Sequence, residues 1–387
     1  MNVAARTLAR KPLPMFRAPR PLVSIGDVAD ASAMPMPVVP SRTTLFAPRG
    51  LCLVEEGGPL WVSDSGHHRV LGWAQAAADR EADWVIGQTD FVTERPNAGR
   101  DVDGATLRVP TGICRYRDGL AVADSWNHRV LLWERPPHDM NVPADRVLGQ
   151  PDKCSAEPNA GRPHPSGGSL HWPYGVAADG DRLFVADTGN RRVLIWNNVP
   201  GADGAPADVV LGQTDFLSRD LDNGRVHPGA LMRWPHAMTI VGGALCVADA
   251  GLHRILIWQH IPAENAAEPH AMLGQTAARA ADANGGAQGP TATGFNMPYA
   301  IAACGDFFIV ADTCNSRLMA WPLADITKAT EAIGLWGQVD FRSRGDNAWQ
   351  PVGPQTLSWP YGLSACGNRV AIADTGNNRV QMWELGL

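Results

Sequence analysis

The sequence predicts an all-β fold: one six-bladed β-propeller built from four-stranded blades. Three observations carry that expectation. A twelve-residue phrase occurs six times in 387 residues, as VSDSGHHRVLGW (62–73), VADSWNHRVLLW (122–133), VADTGNRRVLIW (185–196), VADAGLHRILIW (247–258), VADTCNSRLMAW (310–321) and IADTGNNRVQMW (372–383). Its Asp stands at 64, 124, 187, 249, 312 and 374, a step of 60 to 63 residues, with Arg five and Trp nine positions later. A fixed period of this length marks one repeated supersecondary unit. Second, each repeat holds four short apolar runs divided by turn signals. Third, those runs are apolar on both faces, as sheets sandwiched between neighbouring sheets require. A ring of such sheets is a propeller.

The third repeat shows each element in turn. Trp172-Pro173-Tyr174-Gly175 opens the first strand, and Asp179-Gly180-Asp181 turns it. Leu183 to Ala186 is a second strand, Asp187 to Asn190 a second turn, and Val193 to Trp196 a third strand rich in β-branched residues. A polar link with Pro and Gly then leads to Asp208-Val209-Val210-Leu211-Gly212-Gln213, the fourth strand. Equivalent fourth strands end at Gln88, Gln150, Gln213, Gln275 and Gln338, five copies for six repeats. Leu22-Val23-Ser24-Ile25-Gly26-Asp27 resembles them, and Gly26 precedes Pro48 by 22 residues where the other glycines precede their prolines by 23 or 24. The N-terminal strand is therefore expected to complete the C-terminal blade, closing the ring without an open edge. Residues 1–20, with Arg6, Arg10, Lys11, Arg17 and Arg20 and no acid, are read as a basic flexible tail. Residues 21–387 are read as the single propeller.

Composition narrows the class. A formal charge of −6 provides no whole-chain basic footprint for nucleic acid. Forty glycines and 31 prolines fit a turn-rich chain, and no apolar run approaches the length of a membrane helix. The seven cysteines form no CxxC motif. Cys52, Cys114, Cys304 and Cys366 fall on strand positions and read as buried free thiols. Free thiols favour a reducing compartment, so the expected location is cytoplasmic; the start lacks the apolar core of a secretory signal, and its Arg-rich, acid-poor character also resembles an organelle transit peptide.

The core VADTGNxRVLIW, preceded by PxG and a short turn, resembles the repeat signature of the NHL-repeat β-propellers, for which six blades is a common form. The longer unit is similar to a bacterial variety in which VLGQxDF leads to Asn-Gly and then Leu-x-x-Pro. Here Gly87-Gln88-Thr89-Asp90-Phe91 is followed by Asn97, Leu107 and Pro110, and the next-but-one link repeats it with Gln213, Asp215, Phe216, Asn223 and Pro235. The resemblance covers residues 21–385. It implies the propeller and no single activity, because the family holds enzymes, RNA binders and ubiquitin-ligase targeting modules.

Four sets of residues are candidates for chemistry or binding. The repeated pairs Asp64 and Arg69, Asp124 and Arg129, Asp187 and Arg192, Asp249 and Arg254, Asp312 and Arg317, and Asp374 and Arg379 read as architecture. Each Asp should cap a tight turn, with Gly two positions on supplying a positive φ. Each Arg should pair across the blade or with its neighbour. Trp126, Leu252 and Cys314 depart from the Gly or Asn expected in those turns. His68, His128 and His253 share one repeat position and form the candidate metal set. An NHL-type propeller lyase uses histidines for zinc, which the resemblance brings into play, yet no HxH or HExxH spacing supports it.

The third set follows each leading proline: Arg49, Thr111, Tyr174, His236, Tyr299 and Tyr361. The innermost strand lines the channel, so these six should ring one mouth, varying where their surroundings repeat. Aromatic, His and Arg groups there suit recognition of a protein, a peptide or a small molecule. The fourth set is the long links, about 22 residues each, which should build a rim on the same face. They carry Arg95, Arg100, Arg162, Arg219, Arg225, Arg279, Arg342 and Arg344, with Phe91, Phe216 and Phe341 read as anchors and local acids breaking up the charge. No GxSxG, P-loop or GxGxxG is present.

The expected function is a non-catalytic scaffold that docks a protein or peptide partner on the link-bearing face, without a cofactor or a membrane partner. The alternative is a lyase or hydrolase using a divalent metal at the channel mouth. A third reading is RNA binding, which the acidic balance opposes.

Overall fold

The computed structural model describes residues 19–26, 38–78, 80–220, 230–328 and 330–385, and they form the expected propeller. Six four-stranded antiparallel sheets stand around one channel. In five of them the strands run in chain order from the channel outward. The innermost strands are Pro48–Leu53, Pro110–Tyr116, Pro173–Asp179, Pro235–Val241, Pro298–Cys304 and Pro360–Cys366, and each packs against the next around the ring. The sixth blade is shared between the chain ends. Arg20–Ile25 pairs antiparallel with Arg379–Glu384, Ile25 opposite Val380 and Arg20 opposite Glu384, and that last couple also forms an ion pair. The strand thus begins at Arg20, the residue at which the basic tail was expected to end. Arg6, Arg10, Lys11 and Arg17 lie outside the described residues.

Side chains alternate across a strand, so a blade with both faces buried feeds two different cores. In the third blade Leu183 and Val185 pack with Leu194 and Trp196 toward the second blade. Phe184 and Ala186, one residue out of phase, pack with Val193 and Ile195 toward the fourth. This is why the runs lack the apolar/polar alternation of a half-exposed sheet. Each repeated Trp closes the outer edge of its blade: Trp196 Nε1 donates to the Ala205 carbonyl at 3.1 Å, and Trp133, Trp258 and Trp321 donate to the carbonyls at equivalent places.

The Asp and Arg of each phrase pair within their own hairpin, not across blades. Arg129 Nε donates to Asp124 Oδ2 at 2.8 Å, its Nη1 to the Lys153 carbonyl, and its Nη2 to the carbonyls of Asp103 and Thr106. Asp124 Oδ1 accepts the Arg108 backbone N–H at 2.6 Å. One fully buried ion pair therefore holds the link that enters the blade and the link that leaves it. Burial pushes the carboxyl groups of Asp124, Asp249, Asp312 and Asp374 up, against the pull of each paired guanidinium.

The turn after each Asp is a single 3₁₀ turn, and the left-handed residue is the fourth after Asp, not the glycine two after it. His68 sits at φ 56°, His128 at 53° and His253 at 53°. The glycines serve clearance: a Cβ on Gly66 would collide with Phe46, and one on Gly189 with the His171 carbonyl. Trp126 occupies the same position in the second blade, with its indole turned out to solvent.

Candidate functional site

Each innermost strand is bulged just after its leading proline. Pro48 pairs with Asp64 and the regular register resumes at Leu51 with Val62; Pro173 and Val176 behave alike. A bulge re-aims the side chain it carries. The bulge holds the second residue of each strand, and five of the six candidate ring residues meet at the mouth. The ring centroids of Tyr174 and His236 are 4.1 Å apart, those of His236 and Tyr299 4.3 Å, and those of Tyr299 and Tyr361 4.5 Å. The Arg49 guanidinium carbon lies 5.3 Å from the Tyr361 ring centre and 6.0 Å from that of Tyr174. Thr111 is turned into the wall instead, where its hydroxyl donates to the Tyr174 carbonyl at 2.7 Å.

The five meeting side chains nearly close the channel. The recess they leave measures about 80 Å³, against about 420 Å³ at the opposite end, where Cys52, Arg115, Ala178, Ile240 and Ala303 are among the lining residues. The chemistry of the recess is uneven. His236 Nδ1 faces the Trp234 carbonyl at 2.9 Å, so it carries the proton and donates. Burial lowers the His236 pKa to about 4, the Arg49 cation adding to that and the Trp234 carbonyl opposing it, so the imidazole is neutral near pH 7. Burial pushes the Tyr174 phenol up to about 12. Arg49 Nε and the Tyr174 hydroxyl are both buried, facing one another without a well-formed hydrogen bond to any other group among the described residues.

The sequence reading missed a second layer. Five tryptophans stand exposed on the turns and links of the face that holds the recess: Trp126 (47%), Trp172 (39%), Trp234 (41%), Trp359 (42%) and Trp349 (80%). Three of them are the residues immediately before leading prolines. The guanidinium carbon of Arg108 lies 5.4 Å from the Trp126 ring centre and that of Arg233 5.9 Å from the Trp234 ring centre, in cation–π range. Trp359 stacks toward Tyr361, 6.5 Å between centres. The signal was present: of the 14 tryptophans six are the invariant last residue of the repeated phrase, Trp126 is an extra one inside it, and several of the rest lie at link ends.

The residue before proline is disfavoured in helical conformations, yet Ala47, Val109, Trp172, Met297 and Trp359 all adopt φ between 49° and 55°. The cause is a staple from the preceding blade. His68 Nδ1 accepts the Val109 N–H at 3.1 Å, His128 Nδ1 that of Trp172 at 3.0 Å, and His253 Nδ1 that of Met297 at 2.9 Å. Ser316 Oγ accepts from Trp359 and Asn378 Oδ1 from Ala47. The third blade carries Arg191 at this place, which has no acceptor. There Trp234 leaves the left-handed region, and its N–H goes to Asp249 Oδ1 at 3.1 Å.

The three histidines of the candidate metal set are thus blade-to-blade hydrogen-bond acceptors. Burial lowers the pKa of His68 and of His128 to about 4, keeping the accepting nitrogen free of a proton. Among the described residues no three His, Cys, Asp or Glu side chains converge as metal ligands. On the links, Phe91 is buried and Phe216 and Phe341 pack against blade cores, as anchors should. Asn97, expected to precede Gly, precedes Ala98 and exchanges amide hydrogen bonds with Asn127. Arg100 pairs with Asp103 at 3.4 Å, while Arg225 and Asn223 lie outside the described residues.

No family model matches the chain. No curated protein matches it either. Solved structures do. The WD40 β-propeller domain of Doa1 aligns with a TM-score of 0.48 at 7% identity, covering 95% of this chain and 97% of that one. The WD40 repeats of RRP9 align at 0.44 and 11%, covering 87% and 79%. A chain of a nidogen/laminin complex aligns at 0.41 and 16%, covering 74% and 83%. The six blades rest on the strand pairing described above, not on these likenesses.

Proposed function

We propose that the chain is an NHL-type propeller working in the cytoplasm as a non-catalytic docking module, and that it takes a protein or peptide partner on the face bearing the long links. The observation that carries this reading is the set of exposed tryptophans on the same face as a nearly closed channel mouth. Monomeric proteins seldom leave large aromatic side chains clustered in water, and Trp, Tyr and Arg dominate the energetic centres of interfaces. A recess of about 80 Å³ is far below the volume of an ordinary small-molecule pocket, so the surface around it offers more than the hole. Arg108 and Arg233, each over a tryptophan, favour a partner that is apolar and acidic.

The test is photo-crosslinking in extract of the native host. A photoreactive residue at 126, 172, 234 or 359 should capture one common polypeptide, and one at 118 or 181, in the turns of the opposite face, should not. The triple variant Trp172→Ala, Trp234→Ala, Trp359→Ala should lose the capture while keeping its melting temperature within a few degrees. Equal capture from both faces, or capture that survives the triple variant, sinks the reading.

A further inference from the structure

We propose that the channel mouth is a carboxylate-binding recess, with the Arg49 guanidinium and the Tyr174 hydroxyl as its donors and the rings of His236, Tyr299 and Tyr361 as its walls. Two independent features of the same small space lead there. The first is an uncompensated cation. Arg49 is half buried at the mouth, and among the described residues no carboxylate pairs with it; its neighbours are the tyrosines. The fully buried arginines of the blades each have an Asp: Arg69, Arg129, Arg192, Arg254, Arg317 and Arg379. The second is a pair of donors short of acceptors. Arg49 and the Tyr174 hydroxyl are buried against one another, among the described residues neither reaches a carboxylate or a carbonyl, and buried donors left short of acceptors are costly.

The missing group is therefore an acceptor that carries negative charge. A planar carboxylate suits the guanidinium fork, each oxygen taking a parallel N–H. The space selects further. A recess of about 80 Å³ is small but has room for a carboxylate and its adjoining carbon. Arg49 is the one cation among the six ring positions, with His236 neutral, so the recess favours a monoanion over a phosphate dianion. The aromatic walls replace water around the ion pair, which strengthens it.

Two sources can present this chemistry: the C-terminal carboxylate of a partner, or an Asp or Glu side chain on its surface. Both would place the partner's backbone on the face of the exposed tryptophans. The biological source rests on the docking reading above; the recess chemistry does not.

The experiment is a titration of the full chain followed by NMR of the arginine Nε–Hε resonances, with Arg49 assigned by the peak missing in Arg49→Gln. Acetate is the probe and acetamide its uncharged control. Acetate should shift the Arg49 resonance saturably and acetamide should not. Tyr174→Phe, which keeps the ring and removes only the hydroxyl, should weaken acetate several-fold, and Arg49→Gln about tenfold or more by tyrosine fluorescence. N-acetylglycine and N-acetylglutamate α-amide then separate the sources, the tighter of the two naming which carboxylate the recess prefers. An Arg49 resonance that ignores acetate, or affinity unchanged in both variants, overturns the proposal. If acetate fails to bind while crosslinks still gather on the tryptophan face, the recess falls and the docking face stands. If acetate binds while crosslinks scatter over both faces, the reverse holds.

Discussion

At the scale of the residue, the repeated Asp and Arg act as a junction rather than as a simple ion pair. Arg129 reaches four acceptors and Asp124 receives a link N–H, all out of water. Removing one partner would strand the other, and that usually costs about 3–5 kcal/mol. Arg129→Met should therefore lower the unfolding free energy by that amount, read as a lower urea midpoint at unchanged slope; a loss below about 1 kcal/mol would show that the links do not depend on the pair. The staple histidines give a pH dependence with a definite sign. His68 and His128 titrate near 4 when folded and near 6.5 when unfolded, so the unfolded chain takes up protons first. Stability is complete above about pH 6.5 and declines as pH falls toward 4. His68→Asn, which copies the acceptor that Asn378 supplies in the sixth blade, should keep the staple and flatten that decline. Urea midpoints at pH 7 and pH 4.5 measure it, and a decline as steep in the variant as in the parent would refute the assignment.

At the scale of the element, the strand Arg20–Ile25 is the closure of the ring. Without it the strand Arg379–Glu384 would present an open edge, and open edges pair with other chains. A chain lacking residues 1–25 should melt at lower temperature and self-associate on size exclusion. A monomer of parental stability would mean that closure contributes nothing. The bulges at the start of the innermost strands belong to the same scale. They turn the second residue of five of the six strands into the mouth, Thr111 alone facing the wall, so a single position in the repeat becomes most of a ring.

For the whole molecule, the split blade makes the topology circular. Glu384 stands opposite Arg20 across an antiparallel pair, so a tight hairpin of two to five residues can join the ends. A permutant that begins at Val38, runs through Leu385 into such a turn, and ends after Pro19–Gly26 should fold to the same disc. Its circular dichroism and melting temperature should match the parent within a few degrees. A molten or multi-step profile would instead show that the shared blade is needed for assembly and not only for closure.

The blade count, the strand order and the N-terminal closure were legible because they follow from period and local pattern. Six copies of one phrase, five copies of VLGQ-like strands and one stand-in at residues 22–27 leave little freedom in a fold whose every sheet must be covered. The ring positions were legible for the same reason, since one offset from the leading proline identifies all six. Whether each side chain enters the mouth was not legible: Thr111 hydrogen-bonds into the wall while Tyr174 crosses the opening, and only the packing decides that. The histidines show the limit most clearly. Their shared position suggested metal, whereas their partner is a backbone N–H some forty residues away on the next blade, a contact no single repeat contains. The face of exposed tryptophans and the unpaired Arg49 are likewise properties of six blades brought together. Local sequence determines which strands form and in what order, because turn chemistry and apolar runs act over a few residues. Only the closed ring determines which side chains meet at its axis, because that depends on bulges, staples and neighbours distant along the chain.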